Sequence, residues 1–196
     1  MKLPSIVLAL ALVVPSLATA DDKTTPKTGD TTKDTAKKKL GETEAKILSH
    51  LHHVNLMEVD MGKLAQRLGT AAVKKYGQML VTDHSTADTK LLAFAKKRGL
   101  ARLPAAKADS DAEKAEMKKQ MEEMAALEKL KGADFDREYL RMMVEGHDKE
   151  LAGTAGHQEA SADDELDTLL ADRKVSLQRH SDNAKELQKG NAQASK

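Results

Sequence analysis

Three histidines and one glutamate, His84, His147, His180 and Glu58, stand at positions where a helical heptad pattern calls for an apolar side chain. Imidazole nitrogen with one carboxylate suits Zn, Fe, Mn or Cu, whereas Ca and Mg call for more oxygen ligands. Burying these four groups without compensation costs several kcal/mol, so they must satisfy one another or share an ion. Two readings follow. One is a single transition-metal ion (Fe, Mn, Zn or Cu) held by Glu58, His84, His147 and His180. The other is a metal-free hydrogen-bonded layer that fixes helix register, with Glu58 paired to a protonated histidine or to Arg173.

Four long amphipathic segments must position these residues. The first runs from about Thr43 to Leu68 and stops at Gly69, and the second follows with Thr70 as a cap and stops at Gly99 after Lys96, Lys97 and Arg98. The third runs from about Asp134 to Ser161. The fourth runs from about Asp163 to Lys189, with acidic residues in its first turn. The apolar seams are Ile47, Leu51, Val54, Met61, Ala65 and Leu68; Val73, Leu80, Ala87, Leu91 and Ala95; Leu140, Met143, Leu151 and Thr154; and Leu166, Leu170, Leu177, Ala184 and Leu187. Each is interrupted once by a candidate ligand, and the fourth additionally by Arg173.

Between the second and third helices lie about thirty residues, with Pro104 near the start and a shorter helix from about Asp111 to Lys131, whose stripe is Met117, Met121, Met124, Leu127 and Leu130. Antiparallel neighbours need only about 2–8 connecting residues. A helix of about 20 residues returns roughly 30 Å, enough to set the second and third helices parallel. The expected fold is therefore all-α, a ferritin-like four-helix bundle of two helical hairpins joined by a long crossover containing a fifth, shorter helix. In that topology the four candidate ligands stand within three residues of one height, about 4.5 Å along the axis. A short repeat agrees with it: Tyr76-x-x-Met79-Leu80-Val81-x-x-His84 recurs as Tyr139-x-x-Met142-Met143-Val144-x-x-His147.

Around the ligands, Asp83, Asp88 and Glu150 are read as outer partners of the histidines or as solvated acids. His50, His53 and His157 lie towards one bundle end and are expected to be exposed and unconnected, since nothing places them on a seam.

The first twenty residues carry Lys2, an apolar run from Ile6 to Val14, Pro15 and the small-residue pattern Ala18-Thr19-Ala20. This reads as a secretory signal peptide cleaved after Ala20, with a periplasmic or secreted mature chain. Residues 21–41 read as a disordered tether, 42–190 as the bundle and 191–196 as a disordered tail. Cleavage removes only Lys2 of the 32 basic residues, leaving 31 against 31 acidic ones, and no transmembrane segment is expected in the mature chain. With no net field and only two Tyr, two Phe and no Trp, nucleic acid is not an expected partner. Cysteine is absent, which excludes a disulfide-stapled fold. There is no strained Gly-x-Ser-x-Gly turn and no glycine-rich phosphate loop, so no catalytic residue and no organic cofactor is assigned. A metal-free structural or interaction module of the cell envelope is the alternative to metal binding.

The run Asn55-Leu56-Met57-Glu58-Val59-Asp60-Met61-Gly62-Lys63-Leu64-Ala65, then Met79-Leu80-Val81-Thr82-Asp83-His84, Phe135-Asp136-Arg137-Glu138-Tyr139 and Met143-Val144-Glu145-Gly146-His147, resembles a ferritin-like domain of unknown function, DUF 4142, common in exported bacterial proteins. The resemblance spans about Glu42 to Leu187. It implies the four-helix fold and export but brings no established activity. Di-iron ferritin-like proteins use Glu-x-x-His on two helices. Here Val81 precedes His84 by three residues and Leu177 precedes His180 by three. A two-iron centre is therefore not expected.

Overall fold

The computed structural model describes residues 39–105 and 110–194, and the signal peptide and nearly all of the tether expected from the sequence lie outside them. Among these residues five helices form: α1 Glu42–Leu68, α2 Ala71–Lys97, α3 Asp111–Leu127, α4 Gly132–Ala160 and α5 Asp164–Ala194. There is no strand among the described residues.

The apolar seams become the core. Val54, Ala65, Val73, Leu80, Leu140, Leu166, Leu170 and Ala184 are fully enclosed. All four aromatic rings are buried as well. Two apolar clusters result. One is built on Leu64, Tyr76, Leu80, Tyr139 and Leu140, and the other on Leu48, Leu51, Leu91, Phe94 and Leu170. The candidate ligands fall between them in chain position on every long helix.

Contacts at the helix ends give each helix its direction. Thr70 at the start of α2 meets Asp136 at the start of α4, donating both its amide (3.1 Å) and its hydroxyl to that carboxylate. The amide of Ala162, just before α5, donates to Glu44 Oε1 at the start of α1 (3.2 Å). Arg98, just beyond α2, holds Asp163, just before α5, through two bonds of 2.7 and 2.8 Å. Hence α2 and α4 run one way, and α1 and α5 the other. The two hairpins, α1–α2 and α4–α5, are joined by a connection that carries α3. At 17 residues α3 is about 25 Å long, sufficient for most of the return.

Local chemistry explains the ends. Gly99 takes φ +86°, a left-handed conformation that terminates α2 without Cβ strain. Asp163 caps α5, its Oδ1 accepting from the amides of Glu165 (3.0 Å) and Leu166 (3.1 Å). Thr70 sits at the N-cap of α2, yet its side chain makes no cap bond, because the hydroxyl is spent on Asp136. The short helix ends at Leu127 rather than Lys131, closed by tighter bonds from the amides of Lys129 and Leu130 to the carbonyls three residues back. Helix α5 continues through Gly190 to Ala194, past the end expected from the sequence. A glycine inside a helix costs about 1 kcal/mol relative to alanine, which does not oblige the helix to stop.

Where α1 and α2 cross, their backbones nearly touch. A Cβ built on Gly62 would lie 2.6 Å from the Gly77 carbonyl oxygen, and one on Gly77 would lie 2.5 Å from that of Gly62. Only glycine at both positions allows this approach. It falls one turn beyond Glu58 and next to Tyr76, and so helps set the spacing of the hairpin beside the polar layer.

Candidate metal centre

His84 on α2, His147 on α4 and His180 on α5 converge in the interior, all at 3% exposure or less. Their ring centroids are 5.1 Å (His84–His180), 5.3 Å (His147–His180) and 6.1 Å (His84–His147) apart. One nitrogen from each lies within 4.8 Å of one from each of the others. Nitrogens bound at about 2.1 Å to a tetrahedral ion are about 3.4 Å apart, so the rings need to close by little more than about 1 Å.

The far side of each ring determines which nitrogen is available. His84 Nδ1 bonds Asn55 Oδ1 on α1 at 3.0 Å, His147 Nδ1 bonds the Met143 carbonyl on its own helix at 2.7 Å, and His180 Nε2 bonds Asp83 Oδ2 on α2 at 2.9 Å. The carbonyls and the carboxylate accept, so these three nitrogens carry the protons in the neutral rings. The remaining atoms, His84 Nε2, His147 Nε2 and His180 Nδ1, are left as lone pairs, and all three are buried without a partner. Metal-binding histidines are oriented in this way by outer acceptors. Burial, with the neighbouring His180, His147 and Arg173 charges, pushes His84 well below the usual imidazole range. Burial also holds His180 at about 4, although Asp83 pulls the other way. Both rings are therefore neutral at pH 7, the form a metal requires.

Glu58 is also buried, at 3%, but it is not one of the three residues whose ligand atoms cluster. Its Oε2 has no hydrogen-bond partner, and burial raises its pKa despite the opposing charges of His147 and Arg173. No hydrogen bond links Glu58 and the three histidines to one another. The register-layer reading required such bonds. Its proposed pairing of Glu58 with Arg173 is replaced by a different one, in which Arg173 binds Glu150.

That pairing corrects another expectation. His50 and His157 are half-buried and connected, not exposed: His50 Nε2 lies 3.3 Å from Glu150 Oε2, and its ring packs on His157 at 5.3 Å. His53 is half-buried beside them. Glu150, one turn beyond His147, turns into the interior at 7% exposure because Arg173 from α5 supplies a buried counter-charge there. Its own burial would raise it, yet the His50 hydrogen bond and the Arg173 charge hold its carboxyl at about 2. Asp88 pairs with His52 at 2.6 Å and takes no part in the histidine cluster.

Two clefts reach the layer from opposite sides. One, of about 190 Å³ between α2 and α5, is lined by Asn55, Asp83, His84, Arg173 and His180 among others. The other, of about 200 Å³ between α1 and α4 beneath α3, reaches Glu58. The repeat in the sequence is also met in space. Tyr76 and Tyr139 pack edge-on at 6.2 Å, one step along the parallel α2 and α4 from the His84–His147 contact. The seam pattern revealed the histidines. It missed Asn55, a buried amide one turn before Glu58, since an isolated Asn beside a seam carries no periodic signal.

An all-helical protein with three inward-facing imidazoles in its core is the class this geometry defines. The chain belongs to the family described as domain of unknown function (DUF4142), whose profile matches residues 29–187. No curated protein and no solved structure matches it significantly. No helix among the described residues is long and apolar enough to cross a membrane.

Proposed function

We propose that this is an exported protein of ferritin-like four-helix arrangement that binds a single transition-metal ion, drawn from Fe, Mn, Zn and Cu, in its core. His84, His147 and His180 supply the ligands; Glu58 is buried on α1 without joining their cluster. The observation that carries the reading is three buried imidazoles, each with a ring nitrogen within 4.8 Å of one on each of the others, and each with a buried unpartnered nitrogen opposite the acceptor that holds its tautomer. Leaving three buried acceptors unsatisfied costs about 1–3 kcal/mol each, and one ion relieves all of them. The α2–α5 cleft, lined by His84 and His180, supports an entry path for an ion. The apolar run Ile6 to Val14 followed by Ala18-Thr19-Ala20 supports export.

Metal analysis of tag-free protein tests the proposal. The expected result is close to one equivalent of a transition metal, with a raised melting temperature on reloading the metal-free protein, because a specific ligand stabilises the folded state. Less than about a tenth of an equivalent, with no thermal shift on adding any of the four metals, would refute it.

A further inference from the structure

Eight of the nine methionines lie within the helices, and five of them, Met57, Met61, Met124, Met142 and Met143, line the one cleft between α1 and α4 that α3 roofs. Their distribution is lopsided. The apolar cluster built on Leu48, Leu91 and Leu170 contains no methionine at all and is packed with Ile, Leu, Phe and Ala. Leucine would serve packing equally well in the cleft, with better-defined rotamers.

The same cleft holds acceptor atoms with nothing to accept from. Glu58 Oε2 at its inner end and Gln120 Oε1 on α3 are both buried without a hydrogen-bond partner. The basic residues that line the cleft are already matched to carboxylates: Lys149 to Glu116 (3.5 Å), Lys119 to Glu123 (3.8 Å) and Arg141 to Glu145 (2.6 Å). Glu58 alone among the lining acids makes no ion pair. Neutral thioether sulfurs beside buried oxygens without a partner describe a site for a soft cation of low charge. Thioethers select Cu(I) and leave hard ions to oxygen-rich sites.

We infer that the cleft between α1, α3 and α4 is a second, separate binding site for a soft monovalent cation, Cu(I), held by methionine sulfurs with Glu58 at its inner end. It shares no histidine with the cluster on the far side of the layer. The thioethers carry no proton, so capture of the ion needs no proton release from them.

Two triple variants of the full chain separate this site from the histidine cluster: Met57→Leu with Met61→Leu and Met124→Leu, and His84→Leu with His147→Leu and His180→Leu. Anaerobic titration of Cu(I) against a chromogenic Cu(I) chelator is the readout. The histidine variant is expected to retain one equivalent of Cu(I), while the methionine variant binds it at least about tenfold more weakly and keeps the divalent metal. Independently, Ag(I) added to protein carrying ¹³C-methyl methionine is expected to shift the methyl signals of the five cleft residues and leave that of Met79 in place. If the methionine variant does not fold, the single change Met57→Leu at a half-buried position carries the same comparison. Unmoved cleft methyls, or Cu(I) affinity unchanged in the methionine variant, would overturn the inference. Cu(I) binding lost with the histidines and kept without the methionines would also overturn it, and would leave the histidine reading intact.

Discussion

Asp83 decides which face His180 offers to the interior. Its Oδ2 accepts from His180 Nε2 at 2.9 Å while Arg179 holds the same oxygen at 2.7 Å, and the protonated nitrogen thereby points outward. Remove that acceptor and the ring is free to flip or change tautomer, so the inward lone pair is lost for part of the time. Asp83→Ala is expected to weaken metal affinity by about 10–100-fold, and Asp83→Asn, which keeps a carbonyl acceptor, by less. Competition with a chelator measures both, and unchanged affinity in the alanine variant would show that Asp83 does not orient the ring. The histidines themselves were legible because each breaks an otherwise apolar seam. Their outer partners were legible only as alternatives, since the sequence around Asp83 is no different in kind from that around Asp88, which pairs elsewhere. From the sequence Glu150 is either a solvated acid or an outer partner, because its burial depends on Arg173, a residue on another helix.

Among the elements, the approach of α1 to α2 at Gly62 and Gly77 is the tightest restraint on the hairpin. A methyl at Gly77 would sit 2.5 Å from the Gly62 carbonyl oxygen and 2.6 Å from Ala65 Cβ, so the helices must separate. Gly77→Ala is expected to destabilise the protein by about 1–3 kcal/mol, as overpacking does. Gly156, inside α4, has nothing within 4 Å of its notional Cβ, and Gly156→Ala is expected to stabilise by about 0.5–1 kcal/mol through helix propensity alone. Denaturant midpoints read both; equal effects of one sign would remove the contrast on which the argument rests. The starts and stops of the helices were largely visible in Gly69, Gly99 and the acidic first turn of α5. The backbone crossing was not, because a glycine inside a helical pattern does not reveal which neighbour approaches it.

For the whole molecule, the buried titratable groups set how stability varies with acidity. His180 and His157 are held at about 4, chiefly by burial, against 6.5 for an ordinary imidazole. Below pH 6.5 the unfolded chain takes up protons that the folded one refuses. The stabilisation present above that pH therefore drains away between 6.5 and about 4. Glu150, held at about 2 despite its burial, adds a further loss from 4.5 downward. Glu58, raised by burial, works in the opposite sense and favours the fold at low pH. With several groups against one, the metal-free protein is expected to lose stability from pH 7 to 4, with a slope of at most about 1.4 kcal/mol per pH unit for each net proton. Urea midpoints at pH 7, 5.5 and 4 check this, and a midpoint that holds or rises on acidification would contradict it.

The ownership of the three imidazoles has a consequence for assembly. His84 belongs to the first hairpin, while His147 and His180 belong to the second. Each hairpin can wind its helices from contacts close in sequence, but neither owns a complete ligand set. An ion bridging all three would act as a clasp between two prefabricated halves, adding its binding energy to their docking and almost none to the winding of either. Loss of the ion would then loosen the seam between hairpins before it frayed any helix, and the Tyr76–Tyr139 contact, which spans that seam, would be among the first to part.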